Sequence, residues 1–224
     1  MISKQKGLFI VLFGCAALLA MQVNFSKVLG TENQYFTLFQ FFAPIAGGFL
    51  GGIAGAASIL IAQTANTLIF SKPIALLDLL RFTPMLFAAF YFGSKQKEWA
   101  KTIIPLAAIA LFWLHPTGSQ AWAYALFWTI PLIAFFFKEN LFAKSLGATF
   151  TAHAVGSVIW LYTLQTTPEF WLALVPIVVY ERLLFASGIA VSFVAFNSIL
   201  HKIESVLPKG VINIDKRYVI KLPA

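Results

Sequence analysis

Eight apolar stretches take up almost the whole of this 224-residue chain, and that pattern restricts it to one solvent. They run Gly7–Phe25, Phe36–Leu50, Ile53–Phe70, Leu77–Phe92, Thr102–Leu114, Ala121–Phe137, Leu146–Leu164 and Phe170–Leu200. Hydrophobic residues make up 60% and charged residues 11%, with a mean hydropathy of +0.84. A water-soluble chain of that make-up would carry large adhesive patches. In lipid every backbone polar group must be satisfied internally, which selects helices. The expected fold class is all-α: a polytopic membrane helix bundle of six to eight transmembrane segments, multi-pass in the cell membrane. A transmembrane domain over residues 1–207 and a short cytoplasmic tail over 208–224 are expected.

The net charge of +8 reports topology rather than a nucleic-acid partner. Twelve of the 16 Lys and Arg lie in four places: Lys4 and Lys6; Lys95, Lys97 and Lys101; Lys138 and Lys144; and the tail from Lys202 to Lys221. These fall at alternate connections, which places both termini in the cytoplasm by the positive-inside rule. Two stretches strain the count. Thr102–Leu114 is shorter than the roughly 20 residues a bilayer needs, and Phe170–Leu200 is too long for one straight span, with Pro176 expected to bend or break it. Eight full spans and a six-span core with a short hairpin both remain open. The first stretch follows basic residues as a signal peptide would, but lacks an A-x-A site and reads as a retained helix. The tail residues Gly210–Leu222 suggest a small hairpin. Cys15, the single cysteine, reads as a small packing residue. No cofactor is implied: three His and one Cys leave little for a metal site.

Polar side chains inside the apolar stretches are the functional candidates. Tyr180-Glu181-Arg182 interrupts the last one, and ionisable groups at membrane depth are costly unless partnered or wetted. His153 and Glu181 fall at matching depths on two antiparallel helices, roughly 16 Å from the connection that joins them, so a hydrogen bond between them is expected. Arg182 points about 100° away from Glu181 and calls for a second acid, for which Asp78 is the candidate. Asp78 can instead pair with Arg81, three residues on. Gln63 and Asn66 share one face of the third stretch. Trp113, His115, Trp122, Tyr124 and Trp128 gather about Pro116-Thr117-Gly118, and Trp160, Tyr162 and Trp171 lie near the next connection. They read as an interfacial belt or as an aromatic cover over a ring-bearing ligand. The substrate-binding set is therefore His153, Glu181, Arg182, Arg81, Asp78, Gln63, Asn66 and Trp160. A dry ionic staple is the competing reading.

The stretch from Phe42 to Ala57 holds two small-residue ladders, Gly47/Gly51/Gly55 and Gly48/Gly52/Ala56, which let helices approach closely in lipid, with Gly51-Gly52 as a turn. The run Pro44, Gly48, Phe49, Leu50, Gly51 and Gly55 resembles the substrate-binding S component of energy-coupling factor vitamin transporters. The resemblance covers Gly7 to Gly93. It implies partner-docking small residues at Ala16, Ala20, Gly47 and Gly51, a transmembrane coupling subunit and ATPase subunits as partners beside the lipid bilayer, and a small-molecule substrate. Six spans are usual in that family, and this chain carries extra apolar length between Thr102 and Phe137. No G-x-x-x-x-G-K-[ST] pattern is present, so ATP hydrolysis would come from other subunits. Three function classes follow: a substrate-binding transporter subunit, an intramembrane enzyme using Glu181 and His153 as acid and base, and a non-catalytic assembly subunit.

Overall fold

A computed structural model describes residues 4–27, 35–72, 74–93, 99–137, 139–203 and 212–220. Among the described residues the chain is all-α apart from one small hairpin. Its helices are α1 (Lys4–Ala20), α2 (Ile45–Leu50), α3 (Gly52–Ile69), α4 (Leu76–Leu80), α5 (Thr83–Gly93), α6 (Ala100–Leu114), α7 (Pro116–Gln120), α8 (Ile130–Ala134), α9 (Leu141–Thr163), α10 (Pro168–Ala173) and α11 (Val175–Ile203). Strands β1 (Asn24–Lys27) and β2 (Tyr35–Thr37) pair antiparallel between α1 and α2. Among the described residues, three helical stretches are long and apolar enough to cross a membrane: Gly52–Ile69, Leu76–Gly93 and Val175–Lys202.

Helix α9 occupies the centre, packed by α5, α6, α8 and α11. A helix surrounded by helices gains from small side chains rather than large ones. Its buried positions are accordingly Ser145, Gly147, Ala148, Thr149, Thr151, Ala152, Ala154 and Ser157, with Phe150 and Leu161. The Ser145 and Thr151 hydroxyls donate to carbonyls four residues back, at 2.8 and 2.7 Å, so their burial leaves no proton unpartnered.

The small-residue ladder is consumed inside the chain. A Cβ on Gly47 would lie 1.9 Å from the Ala89 carbonyl oxygen, and one on Gly93 would lie 2.1 Å from that of Gly47. Gly47 is therefore the contact between α2 and α5, not a docking residue. Ala20 is buried in the same core, Ala16 packs against it, and α1 turns Val11, Leu12 and Leu19 outward. Cys15 faces out with them, so it is no packing residue. Gly51 forms the α2–α3 turn at φ +89°, which supports a turn role rather than a docking one.

Three expected helices are irregular. The second apolar stretch begins as strand β2, continues as a 3₁₀ turn over Leu38–Phe41 and becomes helical only at Ile45. Pro44 has no N–H to continue a ladder, and four glycines follow within eight residues. The sixth is 3₁₀ over Trp122–Thr129 before α8. The last breaks at Leu174, and Pro176 sits in the first turn of α11, where its missing N–H costs nothing. The tail makes a 3₁₀ turn over Lys216–Tyr218 instead of a hairpin, and the rest of the expected hairpin lies outside the described residues.

Candidate functional site

A cavity of about 770 Å³ opens where the two apolar cores of the molecule meet. Its wall follows one stripe of α9: His153, Gly156 and Ser157, then Trp160. These positions recur at helical spacing, so they share a face. Gly156 widens it, because a Cβ there would meet nothing closer than Pro84 at 3.7 Å. All eight candidates, His153, Glu181, Arg182, Arg81, Asp78, Gln63, Asn66 and Trp160, line this one space. Several of the contacts they make differ from those expected.

His153 does not reach Glu181 for a hydrogen bond. The Trp128 indole N–H donates to His153 Nδ1 at 3.1 Å, and His153 Nε2 lies 2.9 Å from the Tyr124 hydroxyl. Indole nitrogen is only a donor, so Nδ1 is unprotonated and the ring is the neutral Nε2–H tautomer, donating to Tyr124. Tyr124 in turn interacts with Ser157 on the α9 stripe. Both aromatics come from the 3₁₀ segment, and both are buried there. They belong to the core, not to a headgroup belt: each is at most 1% exposed. Trp113 and Trp122 are exposed, joined by an indole N–H bond to the Trp122 carbonyl, and fit the belt reading.

Arg182 needs no second acid. Its Nη2 reaches Glu181 Oε2 at 3.1 Å, because the long arginine stem curls back across the angle that separates adjacent residues. The guanidinium lies over the rings of Phe36 and Phe185, at 5.1 and 4.6 Å, and those two rings meet edge to face. Its Nε is buried without a hydrogen-bond partner. Ser26 of β1 donates to Glu181 Oε1 at 3.2 Å. The β-hairpin thus fastens over the buried pair, with Phe25 and Phe36 seated on Phe185.

Asp78 and Arg81 lie at the mouth rather than deep in the apolar body. They pair with each other at 3.5 Å, with side chains 32% and 28% exposed. Asp78 also accepts the Ala75 N–H, and Arg81 rests over the Trp160 ring at 5.6 Å. Deeper in, Gln63 donates to the Phe82 carbonyl at 3.3 Å, and the Asn66 oxygen accepts from Gln22 at 2.7 Å. With that oxygen engaged, Asn66 offers a guest its amide N–H groups.

The acid–base pair imagined for an enzyme is not assembled, since Glu181 and His153 each have other partners. Among the described residues no group of three or more His, Cys, Asp or Glu is placed to hold a metal ion. Sequence reasoning missed Ser26, Phe36, Gly156 and Ser157. The signal available was the α9 spacing for the last two, and nothing local for the hairpin residues. Comparison with family models, curated proteins and solved structures finds no match.

Proposed function

We propose that the chain is the membrane-embedded solute-binding subunit of a small-molecule uptake transporter, with ATP hydrolysis supplied by partner subunits as in energy-coupling factor systems. The observation that carries this reading is the cavity: α3, α4, α9, α11 and the hairpin all direct their ionisable or amide side chains into one space of about 770 Å³. That lies within the roughly 300–1,000 Å³ range of small-molecule sites. An assembly subunit would have no use for such a void. In this reading the bundle is multi-pass in the cell membrane. Eight alternating passes run between the cavity end and the end bearing the Gly51 turn and tail, with the second and sixth made of broken helix buried among the others. The basic residues collect at the tail end, which becomes the cytoplasmic one, so the cavity faces outward.

Native mass spectrometry of the detergent-purified protein should reveal a co-purifying small molecule. The Gly156→Leu variant keeps its helix and fills the cavity, so it should lose that molecule by more than about tenfold, or ~1.4 kcal/mol, at unchanged thermal stability. A wild-type protein that retains no small molecule, with Gly156→Leu behaving identically, would remove the proposal.

A further inference from the structure

We infer that the solute is a small organic anion, a flat ring-bearing molecule with one carboxylate, and that Arg81 at the mouth of the cavity receives that carboxylate. The inference rests on the solute-binding reading and adds the chemical class to it.

Charge is the first argument. Among the described residues the lining contains Lys72, Arg81 and Arg182 against Asp78 and Glu181, with His153 neutral, a surplus of one positive charge. Arg182 and Glu181 neutralise each other at the inner end under the hairpin. The surplus therefore sits at the mouth, on the connection that bears Lys72 and Arg81. An ammonium ligand would add to it, and a doubly charged anion would reverse it. A single carboxylate cancels it.

Geometry is the second. Arg81 is only loosely engaged: its contact with Asp78 is at the outer limit of a hydrogen bond, and both side chains are about a third exposed. The guanidinium lies over the Trp160 ring at 5.6 Å and offers the fork that carboxylates accept in two parallel bonds. Beside it the wall carries the partly exposed rings of Phe82 and Phe170. Ring faces favour a flat, delocalised guest. His153 and Trp160 are seven residues apart on α9, roughly 10 Å, which is the length of one ring system on a short chain.

The test is equilibrium dialysis of the purified whole protein against indole carried on chains of one, two or three carbons, each ending as carboxylate, primary amide or ammonium. For at least one chain length the carboxylate should bind about tenfold more tightly than the amide, with the ammonium weakest. Arg81→Gln should erase that preference, so that carboxylate and amide bind alike in the variant. Asp78→Asn keeps the acceptor for the Ala75 N–H and removes the competing charge, so it should tighten carboxylate binding, a gain that damage to the fold could not produce. An amide or ammonium that binds as well as the carboxylate, or a preference that survives Arg81→Gln, overturns the class while the solute-binding role stands. A neutral or cationic co-purifying molecule does the same. Failure of every indole to bind, together with no co-purifying molecule, removes the underlying role and this inference with it.

Discussion

Arg182 is held by three neighbours of different kinds: a carboxylate one residue away and two aromatic faces. Removing one member of a buried pair leaves the other charge uncompensated, which costs about 3–5 kcal/mol, whereas replacing both with apolar groups is often neutral. Glu181→Gln should therefore destabilise the protein by that amount, and Glu181→Gln combined with Arg182→Met should recover most of it. Denaturant unfolding in detergent measures both, and additive losses would show that the pair is not a unit. Glycines act at the same scale by close approach. Gly47→Ala places a methyl group 1.9 Å from a carbonyl oxygen, so α2 and α5 must separate, at a cost of about 1–3 kcal/mol. Gly51→Ala meets open space but keeps φ +89° and ψ 158°, a region reserved for glycine, with a similar penalty from the backbone alone. Reduced melting temperatures for both, but loss of α2–α5 proximity by cross-linking only for Gly47→Ala, would separate the two mechanisms.

Elements were legible where burial is set by period and illegible where it is set by partners. The apolar lengths of α3, α9 and α11 are visible in the sequence because each fills a continuous run. The cavity stripe on α9 was half visible: His153 and Trp160 stand out as polar or aromatic, whereas Gly156 and Ser157 look like ordinary small packing residues. The hairpin was hidden because Asn24 and Phe25 fall inside the first apolar stretch and Ser26 and Lys27 follow it with no period of their own. Their strand conformation is fixed by β2 and by Glu181, which lies 155 residues away. That dependence gives a prediction. Ser26→Ala removes a hydrogen bond to a charged group, worth about 1.5–3 kcal/mol, and Phe36→Ala removes one ring from Arg182, worth about 0.5–2 kcal/mol. Together they should raise amide hydrogen exchange across 24–27 and 35–37 and leave α3 and α5 protected. Unchanged exchange in the strands would mean that the hairpin is held by something other than the buried pair.

At the scale of the whole molecule, the two ends do different work. The cavity end gathers ionisable side chains around one void, while the opposite end is tied by a dense polar clasp. The Asn197 side chain exchanges two hydrogen bonds with the Asp215 backbone, at 2.7 and 2.9 Å, and the Asn213 N–H donates to the Phe49 carbonyl. Arg217 pairs with Asp215 and Glu139, and the Tyr218 hydroxyl donates to the Glu139 carbonyl, so the tail joins α2, α11 and the turn that leads into α9. Sequence alone placed the basic residues there but read them as topology, because a clasp built on backbone carbonyls has no compositional signature. The Arg217 side chain holds the Asp215 carboxyl below its ordinary value of 3.8, and Asp215 in turn raises Arg217. A depressed carboxyl contributes stability above its unfolded value and loses that contribution as the pH falls through its folded one. The Asp215–Arg217 part of the clasp should therefore hold at neutral pH and weaken only below about pH 4, loosening the tail there, because the lowered carboxyl must be protonated first. Limited proteolysis of residues 212–220 across pH 3 to 7 follows this directly, using an acid-active protease at the low end. Asp215→Asn should abolish the acid step but leave the Asn197 bonds, which use backbone groups, in place. Asn197→Ala should loosen the tail at every pH. A tail that is released between pH 5 and 7 would point to another titrating group and would sever the link between the clasp and Asp215.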